Sequence, residues 1–205
     1  DGLLRRMWPA RRKAGHRPGL SVGLLVCALS GLLAGGSAAS AGAWVVDSQK
    51  STLSFEAVAG GQKVQGRFER FTTQIEFEPA DPSKTRIEVN IDTGSAATGQ
   101  SQVDQALKGT DWFDVARFPK ARFRAAEGRR AADGRFELVG ELTIRGVTQP
   151  VVVAFALEQK GRQAAAHGEA TVDRSRFGIG PATVAGMVLG NDVVIRLEIR
   201  AARSQ

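Results

Sequence analysis

Few side chains in this sequence could carry out covalent or metal chemistry, and their spacing argues against each use. Beyond residue 43 the only imidazole is His167, set among Ala164, Ala165, Ala166, Gly168 and Glu169. That context is not the Gly-x-Ser-x-Gly turn of a nucleophile elbow, so His167 reads as an exposed strand residue rather than a general base. The single cysteine, Cys27, lies in an apolar run near the start of the chain, and His16 is the only other histidine. The body therefore offers no thiol for a disulfide and too few imidazoles for zinc. No HExxH occurs, and the expectation is no metal and no cofactor.

Three further groupings carry possible chemistry. Asp111 and Asp114 bracket Trp112-Phe113. Two acids three apart on a loop cap or solvate it unless the fold opposes them across a substrate. Gly178-Ile179-Gly180-Pro181 lacks the third glycine of a dinucleotide loop. Asp173-Arg174-Ser175-Arg176-Phe177-Gly178 places two arginines at a strand end. Arg174 and Arg176 could hold a phosphate or anionic head group there, and two solvated loop arginines are the competing reading.

The elements that would position these groups are strands. Leu53-Ser54-Phe55-Glu56-Ala57, Ile75-Glu76-Phe77-Glu78 and Ile87-Glu88-Val89-Asn90-Ile91-Asp92 alternate with period two. So do Phe136-Glu137-Leu138, Leu142-Thr143-Ile144-Arg145 and the run from Val193 to Arg200, and Val151 to Leu157 is a fuller apolar run. Weaker strands fit around Phe123 and from Gly168 to Asp173. Turn chemistry separates them, as in Pro79-Ala80-Asp81-Pro82, Ala132-Asp133-Gly134 and Gly190-Asn191-Asp192.

Strands about ten residues apart with no βα alternation predict an all-β, antiparallel fold of eight to nine strands. The exception is Gly94 to Phe118, a long connection with one short helix expected at Gln102–Lys108. Closing such a sheet into a barrel removes its edges and leaves an interior for side chains or one small ligand. Strand parity turns Phe55, Phe68, Phe77, Val89, Ile91, Phe123, Leu142, Ile144, Val153, Phe155, Val172 and Ile195 inward. Leu53, Ile75, Ile87, Val151, Val193, Leu197 and Ile199 share those faces. None is charged, so whatever such a barrel holds is apolar.

Charge and targeting bound the rest. The chain has 205 residues with 28 Lys+Arg against 21 Asp+Glu. Six of those bases and one acid precede residue 43. The near-balanced remainder does not suit a nucleic-acid surface. Arg11-Arg12-Lys13, the apolar run Leu20–Ala34 and Ala39-Ser40-Ala41 have the order of a secretory signal. Residues 1–41 are expected to be a signal peptide and residues 42–205 a single domain; Met7 is an alternative start, which would make residues 1–6 an upstream artefact, and Ala41-Gly42-Ala43 is an overlapping alternative cleavage pattern. The product is expected in the periplasm or secreted, with no stable membrane insertion after cleavage, and a homodimer is compatible with the sequence.

Several segments, taken in order, resemble a known family. They are Asp104-Gln105-Ala106-Leu107, Thr110-Asp111-Trp112-Phe113-Asp114-Val115, Phe118-Pro119-Lys120-Ala121-Arg122-Phe123, Gly140 to Val151, and Asp173 to Ile179. Together they are similar to the YceI-like family of exported, polyisoprenoid-binding proteins. The resemblance implies an eight-stranded antiparallel barrel of lipocalin-like shape, with one short helix in a long loop. It also implies an apolar channel for a long-chain isoprenoid or similar lipid, carried or stored without catalysis. Phe113 and Phe177, inside the matching segments, join the expected ligand-binding set. One departure is Val103, which stands where the family pattern has a basic residue before the aspartate. The alternative to a carrier is a hydrolase or isomerase acting on an apolar substrate in the same pocket, through His167 or the Asp111/Asp114 pair.

Overall fold

A computed structural model describes residues 42–204. The expected signal peptide lies outside the described residues. Within them the chain winds up and down through eight antiparallel staves. The first is β1 (Ala43–Val46) continued by β2 (Thr52–Ala59), the second β3 (Gln62–Phe68) continued by β4 (Phe71–Glu76), and the third β5 (Arg86–Asp92) continued by β6 (Ala96–Ala97). Five long strands follow the helix α1 (Ser101–Leu107): β7 (Lys120–Arg130), β8 (Phe136–Ile144), β9 (Val147–Lys160), β10 (Gln163–Asp173) and, after the small hairpin of β11 (Thr183–Val184) and β12 (Met187–Val188), β13 (Asp192–Arg203).

Each stave pairs with its neighbours in sequence. Closure comes from β13, which pairs with β10 along one edge and with β1 and β2 along the other. Trp44 lies opposite Arg203, and Phe55 lies opposite Ile195. The result is the closed eight-stranded antiparallel barrel expected from strand parity and from the family resemblance, with no free lateral edge along its wall.

The first three staves are kinked, and Ser95 shows how one kink is satisfied. Its hydroxyl donates to the Asp92 carbonyl at 2.7 Å and accepts from the Arg70 amide at 3.0 Å, so neither backbone group is orphaned where the ladder breaks. Two-residue turns link several strands. Gly60-Gly61 and Arg145-Gly146 both have positive φ at each central residue, the type I′ geometry that matches the twist of a hairpin. The helix is found one residue earlier at each end than the spacing of Val103 and Leu107 predicts. Leu107 is buried against the barrel's upper end, and the Asp104 carboxylate accepts from both the amide and the hydroxyl of Thr98 at 2.7 Å.

Charged residues sit on the outer face of the wall and apolar ones on the inner face, the reverse of a membrane-spanning barrel with its apolar outer belt. Glu88 on β5 accepts from Arg122 at 2.7 Å, Arg124 at 3.2 Å and Asn90 at 3.0 Å. The Arg122 hydrogen bond, followed by that of Asn90, holds its carboxyl down at about 2. Glu56 is the counterpart on β2, held at about 2 by hydrogen bonds from Gln65 and Lys63.

Candidate functional site: an apolar cavity inside the barrel

Eight staves make a barrel just wide enough to be filled by side chains or to leave room for one ligand. Here the filling stops partway. At the lower end, where β8 begins, Phe77, Phe136 and Phe155 meet ring to ring, with centroids 5.1 to 5.5 Å apart. Trp44 closes the floor by donating its indole N–H to the Phe77 carbonyl at 2.9 Å. The Arg130 guanidinium lies 4.3 Å over the Phe136 ring and that of Arg203 5.2 Å over Trp44, capping the plug from outside.

Above this floor the interior opens into a cavity of about 270 Å³. The inward side chains of β13, from Val193 through Ile195, Leu197 and Ile199 to Ala201, are only partly buried. So are Phe55, Phe68, Phe71, Ile75, Ile87 and Val89 across from them. Their residual exposure is to the interior, since the alternate, outward positions carry the polar residues. A fully packed core would cover such side chains completely. Phe55 and Phe68 lean together at 5.3 Å, and Phe68 meets Phe113 edge-on at 5.8 Å, so aromatic rings lead from the wall up to the roof.

The roof is built from two loop segments. From the long connection come Leu107, Trp112 and Phe113, and from the segment after β10 come Phe177, Ile179 and Leu189. Arg145, at the tip of the β8–β9 hairpin, ties the two together by donating to the Trp112 carbonyl at 2.8 Å and to the Gly178 carbonyl. The Gly180 amide adds a 2.7 Å bond to the Asp111 carbonyl.

Every residue that parity turned inward borders this cavity, as do Phe113 and Phe177. Sequence reasoning missed Trp44, Phe71, Trp112, Ile179 and Leu189. Trp44 and Phe71 stand on short strands whose parity was readable, whereas the other three lie in loops that carry no period.

The head-group expectation for Arg174 needs correction. Its guanidinium is buried and donates to four main-chain carbonyls: Gly190 at 2.8 Å, Ile179 at 2.7 Å, Gly180 at 3.0 Å and Leu189 at 2.9 Å. Those bonds hold the segment that follows β10 and take up the donors an anion would need. Burial pushes the group below the ordinary arginine value, and no carboxylate pairs with it among the described residues. Arg176 points elsewhere, to an exposed pairing with Asp173 at 3.6 Å. The fold thus does not bring the two arginines together.

The groups considered for catalysis also lie away from the cavity. His167 is exposed on the outer face of β10, opposite Ala156 and Glu198. Asp111 is exposed, while Asp114 is buried and paired with Arg117 at 3.3 Å. Apart from the indole N–H groups of Trp44 and Trp112, Thr73 and Arg174 are the only lining residues among those described with polar side-chain atoms.

Comparison with known proteins agrees with this geometry. A UPF0312 protein of Vibrio cholerae is 26% identical over 133 residues, which cover 63% of this chain and 70% of that one. The crystal structure of Burkholderia cenocepacia BcnA superimposes with a TM-score of 0.72 at 26% identity, covering 77% of this chain and 100% of the other. A polyisoprenoid binding domain from Saccharophagus degradans, implicated in plant cell wall breakdown, shares the fold with a TM-score of 0.62 at 12% identity, covering 78% and 98%. The YceI-like domain matches residues 44–201, the span of the barrel wall almost from end to end, and the chain belongs to the YceI-like family.

Proposed function

We propose that this protein binds a long-chain isoprenoid or similar apolar lipid in its barrel and carries or stores it without chemical conversion. The observation that carries the reading is a cavity whose lining is apolar and whose inward side chains stay partly uncovered. An apolar chain entering there would bury that surface at a gain of about 25 cal/mol per Å². A polar or charged ligand would lose its hydration with almost nothing to replace it. The fold neighbour described as a polyisoprenoid binding domain points to the same ligand class. The leader composition supports a periplasmic or secreted location. The hydrolase or isomerase alternative needs a general acid or base at the cavity, and His167, Asp111 and Asp114 do not border it.

Organic-solvent extraction of the purified protein, followed by mass spectrometry of the extract, tests the reading. A long-chain apolar molecule in stoichiometric amount is the expected result. An extract free of lipid, with turnover of an apolar ester by the intact protein, would replace the carrier with an enzyme.

A further inference from the structure

From Gly178 to Gly190 no residue is charged, in a chain whose charged residues make up 24%. This segment is fastened at its two ends, where Arg174 binds the carbonyls of Ile179 and Gly180 on one side and of Leu189 and Gly190 on the other. Its fastened ends face inward, since Ile179 and Leu189 line the cavity roof. Its middle faces outward as the β11–β12 hairpin, which leaves Met187 45% and Val188 69% exposed. That hairpin lies on the tip of the β2–β3 hairpin, where Val58 is 40% exposed. The Gly60 amide donates to the Val188 carbonyl at 2.9 Å, and the Gly190 amide to the Val58 carbonyl at 2.7 Å. Single exposed apolar residues are ordinary, but three that adjoin, two of them in a segment without charge, are not.

We propose that this end of the barrel docks on the surface of a lipid bilayer, with Val58, Met187 and Val188 entering the boundary between head groups and acyl chains. The inference rests on the apolar-ligand reading. A ligand suited to this cavity has its reservoir in a membrane rather than in water, and the docking segment is the same one that roofs the cavity. The segment itself contributes no charge, and two of the charges near it are already paired, Lys63 with Glu56 and Arg176 with Asp173, which leaves little for a polar protein partner to match. No helix among the described residues is long and apolar enough to cross a membrane, and the contact proposed is peripheral. Because apolar area drives it, docking should be insensitive to salt.

Flotation of the full chain with vesicles of phosphatidylcholine and phosphatidylglycerol tests this, comparing wild type with the double variant Met187→Asp/Val188→Asp. The leader is the same in both proteins, so the difference reports the hairpin. The variant is expected to lose about tenfold or more of its partition, while wild-type binding survives high salt. Hydrogen exchange should show vesicle protection of amides in residues 182–188 and none at the opposite-end hairpin around Gly161. Equal partition of wild type and variant overturns the proposal, as does wild-type binding that salt abolishes. Self-association through the hairpin with no vesicle binding overturns it as well. A wild type that yields extractable lipid but ignores vesicles removes docking alone. One that floats through the hairpin yet yields no lipid upholds docking and removes the ligand reading.

Discussion

Phe55 and Gly66 face each other across β2 and β3, and the Phe55 ring occupies the space that a Cβ on Gly66 would need. The ring can lie along the wall, leaving the middle of the barrel open, because its partner has no side chain. On β7 and β8 the Phe123 ring reaches diagonally over Gly140, the partner of Ala125, and a Cβ on Gly140 would come within 2.8 Å of that ring. A narrow barrel that carries large aromatics and still holds a cavity depends on such pairs.

Gly66→Val should therefore overpack the wall. The side chain would meet both the Phe55 ring and the Ala97 carbonyl, 2.9 Å from the Cβ position, so a ring rotation alone does not relieve it. The expected cost is about 1–3 kcal/mol in urea unfolding, with reduced uptake of an apolar fluorescent probe. An unchanged denaturation midpoint would show that the pair is not tightly packed.

Phe155 and Phe55 should respond differently to truncation. Phe155 is 6% exposed and packs in the floor against Phe77 and Phe136, so Phe155→Ala should cost about 3–5 kcal/mol even without ligand. Phe55 already borders open space, so Phe55→Ala should cost less stability in the emptied protein and more ligand affinity. Unfolding curves and probe titrations on delipidated protein separate the two. Equal stability losses would mean that the interior is uniformly filled.

The inward set was legible because alternation along a strand gives the face of each residue. Alternation does not give height along the barrel axis, so Phe77 and Phe155 in the floor looked the same as Phe55 beside the cavity. The kinks after β1, β3 and β5 hid the fact that short runs join into single staves, and with it the way β13 closes the ring. Arg174 and Arg176 looked equivalent in sequence, two apart on one loop. A tight turn beginning at Arg174 sends one guanidinium into a ring of carbonyls and the other to solvent. Ile179 and Leu189 were illegible because their places depend on that ring rather than on any period.

Acid should weaken the barrel through Glu56 and Glu88. Each carboxyl sits at about 2 in the fold against an ordinary value of 4.5, so the stabilisation is complete above about 4.5 and lost as pH falls toward about 2. Thermal midpoints measured from neutral pH downward should drop across that window. Glu88→Gln should begin lower at neutral pH and fall less steeply, whereas a slope equal to that of wild type would remove Glu88 from the account.

Arg174→Met should free the segment it fastens. Four carbonyls lose a charged donor, and each buried one left unpaired costs about 1–3 kcal/mol, so local opening should accompany any loss of global stability. Limited proteolysis should cut within residues 181–188 much faster than in wild type while the strands stay intact. A cleavage pattern identical to wild type would mean that other contacts hold the roof.

Native mass spectrometry of wild type beside Ile195→Glu tests the central claim most directly, because Ile195 lines the cavity and a carboxylate there would sit among apolar side chains. Wild type should carry one apolar long-chain adduct per protein, or take one up when a long-chain isoprenoid alcohol is added, and the folded variant should not. A wild type that stays bare after that addition, or a folded variant that binds equally well, would contradict the claim that the barrel interior is the lipid site.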